Sequence, residues 1–264
     1  MTSRFDCFCE GRTEENVLAA LRLSDYPRTT NEPTGKQAVR KRLKDLLGPK
    51  LGSKPVRALV MLDVDLHTGE TAASVKQSVE ATLKNLWRER GFAPDDAALT
   101  AYAAAPNLYC LQTDAPDARI VLHLAARRYD ERFIKATIDD YVLELVLRAA
   151  TAEAMLTAKR ANETRSREQR KVSEQEPREW RIEAAALTQK VWQEIPALLK
   201  QNQIPPLQDA KSYLHIYTAV LQEPVSPAVF AKLAVKHARQ EDLQEIFAAL
   251  FAAAQFLNAE PAAA

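Results

Sequence analysis

Apolar residues in the first half of the chain occur in two alternating patterns. Residues 5–9 and 56–62 form short, nearly continuous apolar runs, which are typical of buried strands. Residues 71–90 instead carry valine and leucine at helical spacing, and Gly91 follows as a stop signal. Two more helices are expected, one after Thr13 and one ending at Gly48, with further strands at 99–105, 107–113 and 120–125.

The second half of the chain shows helical patterns only. Residues 138–155 carry a wide apolar stripe, and helices are also predicted at 184–201, 207–221, 227–238 and 243–257. Residues 159–183 differ, because their charges are mixed and apolar positions are scarce. This segment is interpreted as an exposed helix, a mobile connection or an arm that binds a partner.

Together these patterns predict an α/β fold with a helical extension. Alternating strands and helices over residues 1–130 indicate a largely parallel sheet of four or five strands, sandwiched by helices. Residues 131–258 are predicted to form an all-helical region. The alanine-rich residues 259–264 are expected to be a disordered tail.

Composition supports a folded protein and indicates which partners and which cellular location to expect. Of the 264 residues, 47% are hydrophobic and 27% are charged, so a substantial core can form. Lys and Arg (36) nearly balance Asp and Glu (35), so a surface for nucleic acid must be local. The three cysteines have no paired CxxC spacing and indicate structural thiols, and no apolar run is long enough to cross a membrane. We expect a cytoplasmic protein without membrane contacts.

Acidic residues follow the two clearest predicted strands. Glu10 comes directly after the first strand, and Asp63 and Asp65 come directly after the second. Ligands in open α/β sheets gather at the carboxyl ends of the strands, and neighbouring strands lie ~4.8 Å apart. Side chains alternate along an extended segment, so both aspartates are expected to point to the same side. The three carboxylates are therefore candidate ligands of one hard cation.

The order of these motifs resembles a known family. Glu10-Gly11-Arg12-Thr13-Glu14 after one apolar strand and Asp63-Val64-Asp65 after another are similar to the Toprim fold. Topoisomerases, primases, small ribonucleases and the overcoming-lysogenisation-defect (OLD) nucleases share that fold. The second glutamate makes the chain most similar to small Toprim and OLD-like proteins of bacterial defence systems. The segment from Ile138 to Leu143 is similar to a helix start in small Toprim-like proteins of unassigned function.

The resemblance implies roles for four acidic residues. Glu10 is implied as general acid/base or metal ligand together with Glu14, and Asp63 and Asp65 as ligands of Mg²⁺ or Mn²⁺. Simpler interpretations stay open: Glu14 also suits the first turn of a helix, and the two aspartates also suit a turn and helix cap. Topoisomerase and primase activities are disfavoured, because no tyrosine domain, zinc ribbon or Walker A loop is visible.

Basic residues that could bind nucleic acid concentrate in the predicted second helix. Its charges could neutralise phosphates beside the acidic site, although a solvated helix face explains them equally well. Two weaker candidates lie later in the chain. The complete set is Lys36, Arg40, Lys41, Arg42, Lys44, Arg127 and Lys211.

The leading functional hypothesis is a metal-dependent nuclease. The resemblance implies phosphodiester cleavage of DNA or RNA by a toxic effector of anti-phage defence, controlled by a partner such as a separate ATPase. The alternative is a non-catalytic Toprim-like interaction module that docks on a partner protein. Because the helical region carries more apolar surface than one core needs, we also expect residues 138–257 to form a homo-oligomer or partner interface.

Overall fold

The computed structural model describes residues 5–23, 34–103, 105–170, 182–223 and 225–259, with residues 163–170 described as backbone only. Most of the predicted loop between the first two helices falls outside these residues. Residues 260–264 of the predicted tail and residues 171–181 of the mixed-charge segment also fall outside them. The earlier part of the mixed-charge segment is helical as far as Arg170.

A five-stranded mixed sheet forms the centre of the fold. Its strands are β1 (Asp6–Cys9), β2 (Val56–Asp63), β3 (Thr100–Ala101), β4 (Leu108–Asp114) and β5 (Asp117–Ala125), in the spatial order β1-β2-β5-β4-β3. Strands β1, β2 and β5 are parallel, whereas β4 runs antiparallel to β5, and β3 antiparallel to β4. The prediction of a largely parallel sheet is right only for these three strands. A tight hairpin joins β4 to β5, and a hairpin can connect only antiparallel strands.

Eleven α-helices surround the sheet in the part of the chain that the structure describes. They are α1 (Arg12–Ala20), α2 (Lys36–Leu47), α3 (Ala72–Glu89), α4 (Ile138–Leu147), α5 (Ala149–Arg170), α6 (Ala184–Gln189), α7 (Ile195–Gln201), α8 (Ala210–Val220), α9 (Pro227–His237), α10 (Gln240–Ile246) and α11 (Ala248–Asn258). A π-helical turn, Lys190–Glu194, joins α6 to α7. Helix is thus the dominant structure, as the composition and spacing predict.

Three predicted elements differ from the observed ones. The helix predicted at 138–155 is interrupted at Arg148, whose backbone is extended and whose guanidinium binds Asp242 and Glu245 at 2.9 and 2.6 Å. Because arginine favours helices, the local sequence gives no sign of this break, which coincides with the tertiary ion pairs of Arg148. The helix predicted at 243–257 is likewise divided, into α10 and α11. The strand predicted at 99–105 is observed only at Thr100–Ala101. The chain turns back after these residues, and the N–H of Tyr102 donates to the carbonyl oxygen of Leu108.

Hydrophobic side chains cover both faces of the sheet. Alternation along β2 sends Ala58, Val60 and Leu62 towards α2 and α3, where Trp87 is fully buried. Leu59 and Met61 face the opposite way and join a core built by α1, α4, α8, α9 and α11. This second core therefore contains residues of the sheet together with helices of the predicted all-helical region.

The apolar stripe of residues 138–155 belongs to this second core. Tyr141, Val142, Leu145 and Val146 are buried within the chain itself. Tyr217 of α8 crosses the core and donates its hydroxyl hydrogen to the carbonyl oxygen of Val146 at 3.0 Å. The stripe that suggested a partner interface is thus used intramolecularly, and an oligomeric state stays a prediction.

The Tyr217 hydroxyl provides a test of this packing. Tyr217→Phe should lower the free energy of unfolding by about 1–2 kcal/mol, because it removes a hydrogen bond from a buried carbonyl. Urea denaturation followed by circular dichroism measures the change. Tyr109→Phe, at a partly exposed tyrosine of β4, is the control and should change stability by less than about 0.5 kcal/mol. Equal effects of the two substitutions would show that the buried bond contributes little.

Candidate functional site at the carboxyl edge of the sheet

The predicted meeting of two strand ends is confirmed. Strand β1 pairs with β2 in parallel, with Cys9 opposite Met61, so Glu10 emerges beside the end of β2. The backbone N–H of Glu10 donates to Met61 O at 3.2 Å, and the N–H of Asp63 donates to Glu10 Oε2 at 3.1 Å. Glu10 and Asp63 therefore lie in direct contact at the carboxyl edge of the sheet.

Two more carboxylates come to this edge from helix N-termini. Glu14 lies in the first turn of α1 and is 3% exposed, and its Oε2 accepts from the N–H of Gly11 at 3.1 Å. Asp139 lies in the first turn of α4 and is 8% exposed. The N–H of the preceding residue, Ile138, donates to Asp63 Oδ1 at 3.1 Å, which fixes this helix end against β2. We call Glu10, Glu14, Asp63 and Asp139 the acid cluster.

Mutual repulsion and loss of water shape the electrostatics of the acid cluster. Burial raises the pKa of Glu14 to about 8 and that of Asp139 to about 6. Burial also raises the pKa of Asp63 well above its usual value, and the charges of Glu14, Glu10 and Asp139 raise it further. The pKa of Glu10 is raised as well, chiefly by burial. These carboxyl groups consequently favour a proton or a cation close to them.

Asp65 has different partners from Asp63. Its Oδ2 accepts from Lys36 Nζ at 2.8 Å, and its Oδ1 lies 3.6 Å from Lys135 Nζ. Burial alone would raise the pKa of Asp65, but the hydrogen bond from Lys36 and the charges around it lower it. The strand ends at Asp63, so the alternation that was expected to place both aspartates on one side does not extend to Asp65.

Lys36 also contacts a carboxylate that sequence analysis missed. Its Nζ donates to Glu70 Oε2 at 2.7 Å, and the same oxygen accepts from the N–H of Asp65 at 3.0 Å. Glu70 lies just before α3, with no motif around it. Asp139, also missed as a site residue, had a usable signal: it sits in a predicted first helical turn within the family-like segment.

The donor chemistry of the acid cluster fits a hard divalent cation. Mg²⁺ and Mn²⁺ prefer carboxylate oxygens, and Asp139 Oδ1 is buried without a hydrogen-bond partner among the described residues. The charge of Asp139 acts on both Glu14 and Asp63, so its carboxylate lies near theirs. As placed, however, no three His, Cys, Asp or Glu side chains of the described residues form a ready metal-binding group.

The basic candidates do not form one surface. Lys36 is held by carboxylates, and Arg42 donates to the carbonyl oxygen of Cys9 at 2.6 Å. Helix α2 begins at the acidic edge and leads away from it, which carries Lys44 about 12 Å along the helix axis from Lys36. Arg40 is partly exposed, while Lys41 and Lys44 are exposed on this helix.

The two later candidates lie on other elements. Arg127 pairs with Glu144 at 2.5 Å and stacks over the Tyr141 ring. Lys211 in α8 acts on Asp139, whose pKa its charge lowers against the larger effect of burial. Asp114 and Asp117 are further acidic residues, which close the β4–β5 hairpin at the opposite edge of the sheet.

Comparison with known proteins gives no match for this chain, whether among family models, curated proteins or solved structures. Within the described residues, no helix is both long and apolar enough to cross a bilayer. The site must therefore be interpreted from its own geometry and chemistry.

The raised pKa of Glu14 makes stability depend on pH. A carboxyl group with a raised pKa in the folded state binds its proton more tightly there, so stability falls as pH increases from about 4.5 to about 8. In EDTA, the free energy of unfolding of wild type should fall between pH 5 and pH 8. Glu14→Gln should make this fall smaller by on the order of 2 kcal/mol. Urea denaturation at both pH values measures it.

Glu15→Gln is the matched control, because it removes a charge at the next position of the same helical turn. It should leave the pH dependence of wild type largely intact. If the Glu14→Gln and wild-type proteins lose equal stability over this range, Glu14 does not titrate as a buried acid.

Proposed function

We propose that the protein is a Mg²⁺- or Mn²⁺-dependent nuclease with a Toprim-like site. One observation carries the proposal: the carboxylates of Glu10, Glu14, Asp63 and Asp139 lie near one another at the carboxyl edge of the parallel strands β1 and β2. Glu14 and Asp139 are almost completely buried there. Such a cluster is unfavourable for folding unless protons or a cation compensate its charge, so its presence favours a role in binding a cation.

This proposal assigns different roles to the residues of the acid cluster. Glu10, Asp63 and Asp139 would hold the divalent ion, with Glu14 beside them. When bound, the ion supplies positive charge to the oxygens of a scissile phosphate. Glu10 is the candidate catalytic residue, because its side chain is 18% exposed and its Oε2 lies 4.0 Å from Lys36 Nζ. Burial raises the pKa of Glu10, which favours a group that can accept and return a proton.

A polynucleotide substrate is supported by basic side chains around the edge. Lys135 is 41% exposed beside Asp65, and Arg127 is 48% exposed beside α4. Both can reach phosphates on either side of the acid cluster while retaining their acidic partners. Control by an ATPase or by a second copy of the chain remains part of the proposal, together with a role in anti-phage defence.

A non-catalytic interaction module is the second candidate. The observation in its favour is that the acids already have internal partners. Asp63 accepts from Ile138, Glu14 from Gly11 and Asp65 from Lys36. In this alternative the cluster fixes the ends of α1 and α4 against the sheet, and the chain acts through a partner protein.

Substitution of the acids distinguishes catalysis from architecture. Glu10→Gln and Asp63→Asn should each lower Mn²⁺-dependent cleavage of labelled DNA or RNA at least about 100-fold. Melting temperature should stay equal or rise, because each substitution relieves repulsion among like charges. Gel-based cleavage assays and differential scanning calorimetry measure the two effects.

Asp117→Asn is the matched control, since Asp117 lies at the opposite edge of the sheet in an ion pair with Arg57. It should cleave like wild type. Wild-type protein that binds no divalent cation and cleaves neither polymer, while Glu10→Gln lowers stability, would support the interaction module instead.

A further inference from the structure

The carboxylates around the end of β2 fall into two groups. The acid cluster lies on one side, and Asp65 and Glu70 lie with Lys36 on the other. Glu10 belongs to both sides, because its Oε2 accepts from Asp63 N at 3.1 Å and lies 4.0 Å from Lys36 Nζ. This geometry is that of a carboxylate shared by two neighbouring cation sites.

Lys36 is firmly held in this position. It is the first residue of α2 and follows Gly35, whose φ of 93° lies in the region that favours glycine. The N–H of Gly35 donates to the carbonyl oxygen of Glu10 at 2.9 Å, which ties the start of the helix to β1. The Lys36 side chain is only 11% exposed. Its ammonium group is therefore a fixed part of the site.

The ammonium occupies the place that a second divalent ion would need. Paired metal ions in phosphoryl-transfer sites lie about 3.5–4 Å apart, each held by carboxylate oxygens. Asp65, Glu70 and Glu10 offer such oxygens, at 2.8, 2.7 and 4.0 Å from Lys36 Nζ. A divalent ion there would have to displace an ammonium that has two charge-assisted hydrogen bonds.

On the other side of Glu10, the carboxylates accept hydrogen bonds from backbone N–H groups, Glu14 from Gly11 and Asp63 from Ile138. Asp139 Oδ1 is buried there without a hydrogen-bond partner among the described residues. The charge of Lys211 acts on Asp139 without a hydrogen bond between the two side chains. The two sides therefore differ: one contains its own cation, and the other has an unused oxygen.

We propose that Lys36 substitutes for a second metal ion, so that the site binds one divalent cation, on the acid cluster. This inference rests on the proposed function, since it takes the acid cluster to be a metal site. It adds the number of divalent ions that the site binds. It also makes Lys36 a positioning cation within the site, rather than a surface contact for nucleic acid.

Metal stoichiometry tests the inference without an activity assay. Mn²⁺ binding to the full chain is measured by equilibrium dialysis and by electron paramagnetic resonance, for wild type, Lys36→Met and Lys36→Arg. Wild type and Lys36→Arg should bind one ion with the spectrum of an isolated Mn²⁺. Lys36→Met should bind two ions and show an exchange-coupled spectrum, because the two ions would then share Glu10. Lys36→Gln is the second charge-removing variant, and circular dichroism verifies that each variant is folded.

Each outcome has a distinct meaning. Two ions in wild type would overturn the role of Lys36 and leave the proposed metal site standing. One ion in both folded charge-removing variants would also overturn it. Wild type that binds no Mn²⁺ would refute the metal site itself, and the present inference with it. If neither charge-removing variant folds, the stoichiometry of wild type and Lys36→Arg decides: one ion in both supports the inference, and two ions in either contradict it.

Discussion

The parallel pairing of β1 with β2 is the constraint on which the site depends. Its register places Cys9 opposite Met61, so the chain leaves both strands at the same edge, and Glu10 lies directly beside Asp63. Hydrogen bonds from the end of β2 then hold later segments there. Val64 forms a two-way backbone bridge with Ala136, and Asp63 accepts from Ile138. A shift in this register would separate Glu10 and Glu14 from Asp63 and Asp139.

Concentrating carboxylates in this way opposes folding. The raised pKa values of Glu14 and Asp139 express that opposition, and the two apolar cores on the faces of the sheet offset it. Fold stability and site chemistry are thus supplied by different parts of the same strands. Side chains within β2 build the cores, whereas residues at its end carry charge. This division is typical of open α/β sheets, in which ligands bind outside the strand ends.

The helical second half has a structural role that its sequence did not reveal. It covers the face of the sheet opposite α2 and α3, and α4 also delivers Asp139 to the site. The large exposed apolar residues among the described ones are Leu46, Tyr129, Leu198, Ile204 and Val229, which lie on several different elements. A partner, where one exists, would not be needed to cover the apolar stripe of α4.

Sequence alone determined the class of the fold and the position of two acidic residues of the site, Glu10 and Asp63. Short apolar runs and helical spacing depend on local periodicity, so β2, α3 and most helices of the second half were predictable within a few residues. The placement of Glu10 and Asp63 at strand ends followed from the same runs. Tertiary structure decided what local pattern does not encode. It set the antiparallel direction of β4, the break at Arg148, the pairing of Asp65 with Lys36, and the approach of Asp139 from a distant helix. Each of these depends on contacts between residues far apart in the chain, and periodicity within one segment carries no information about such contacts.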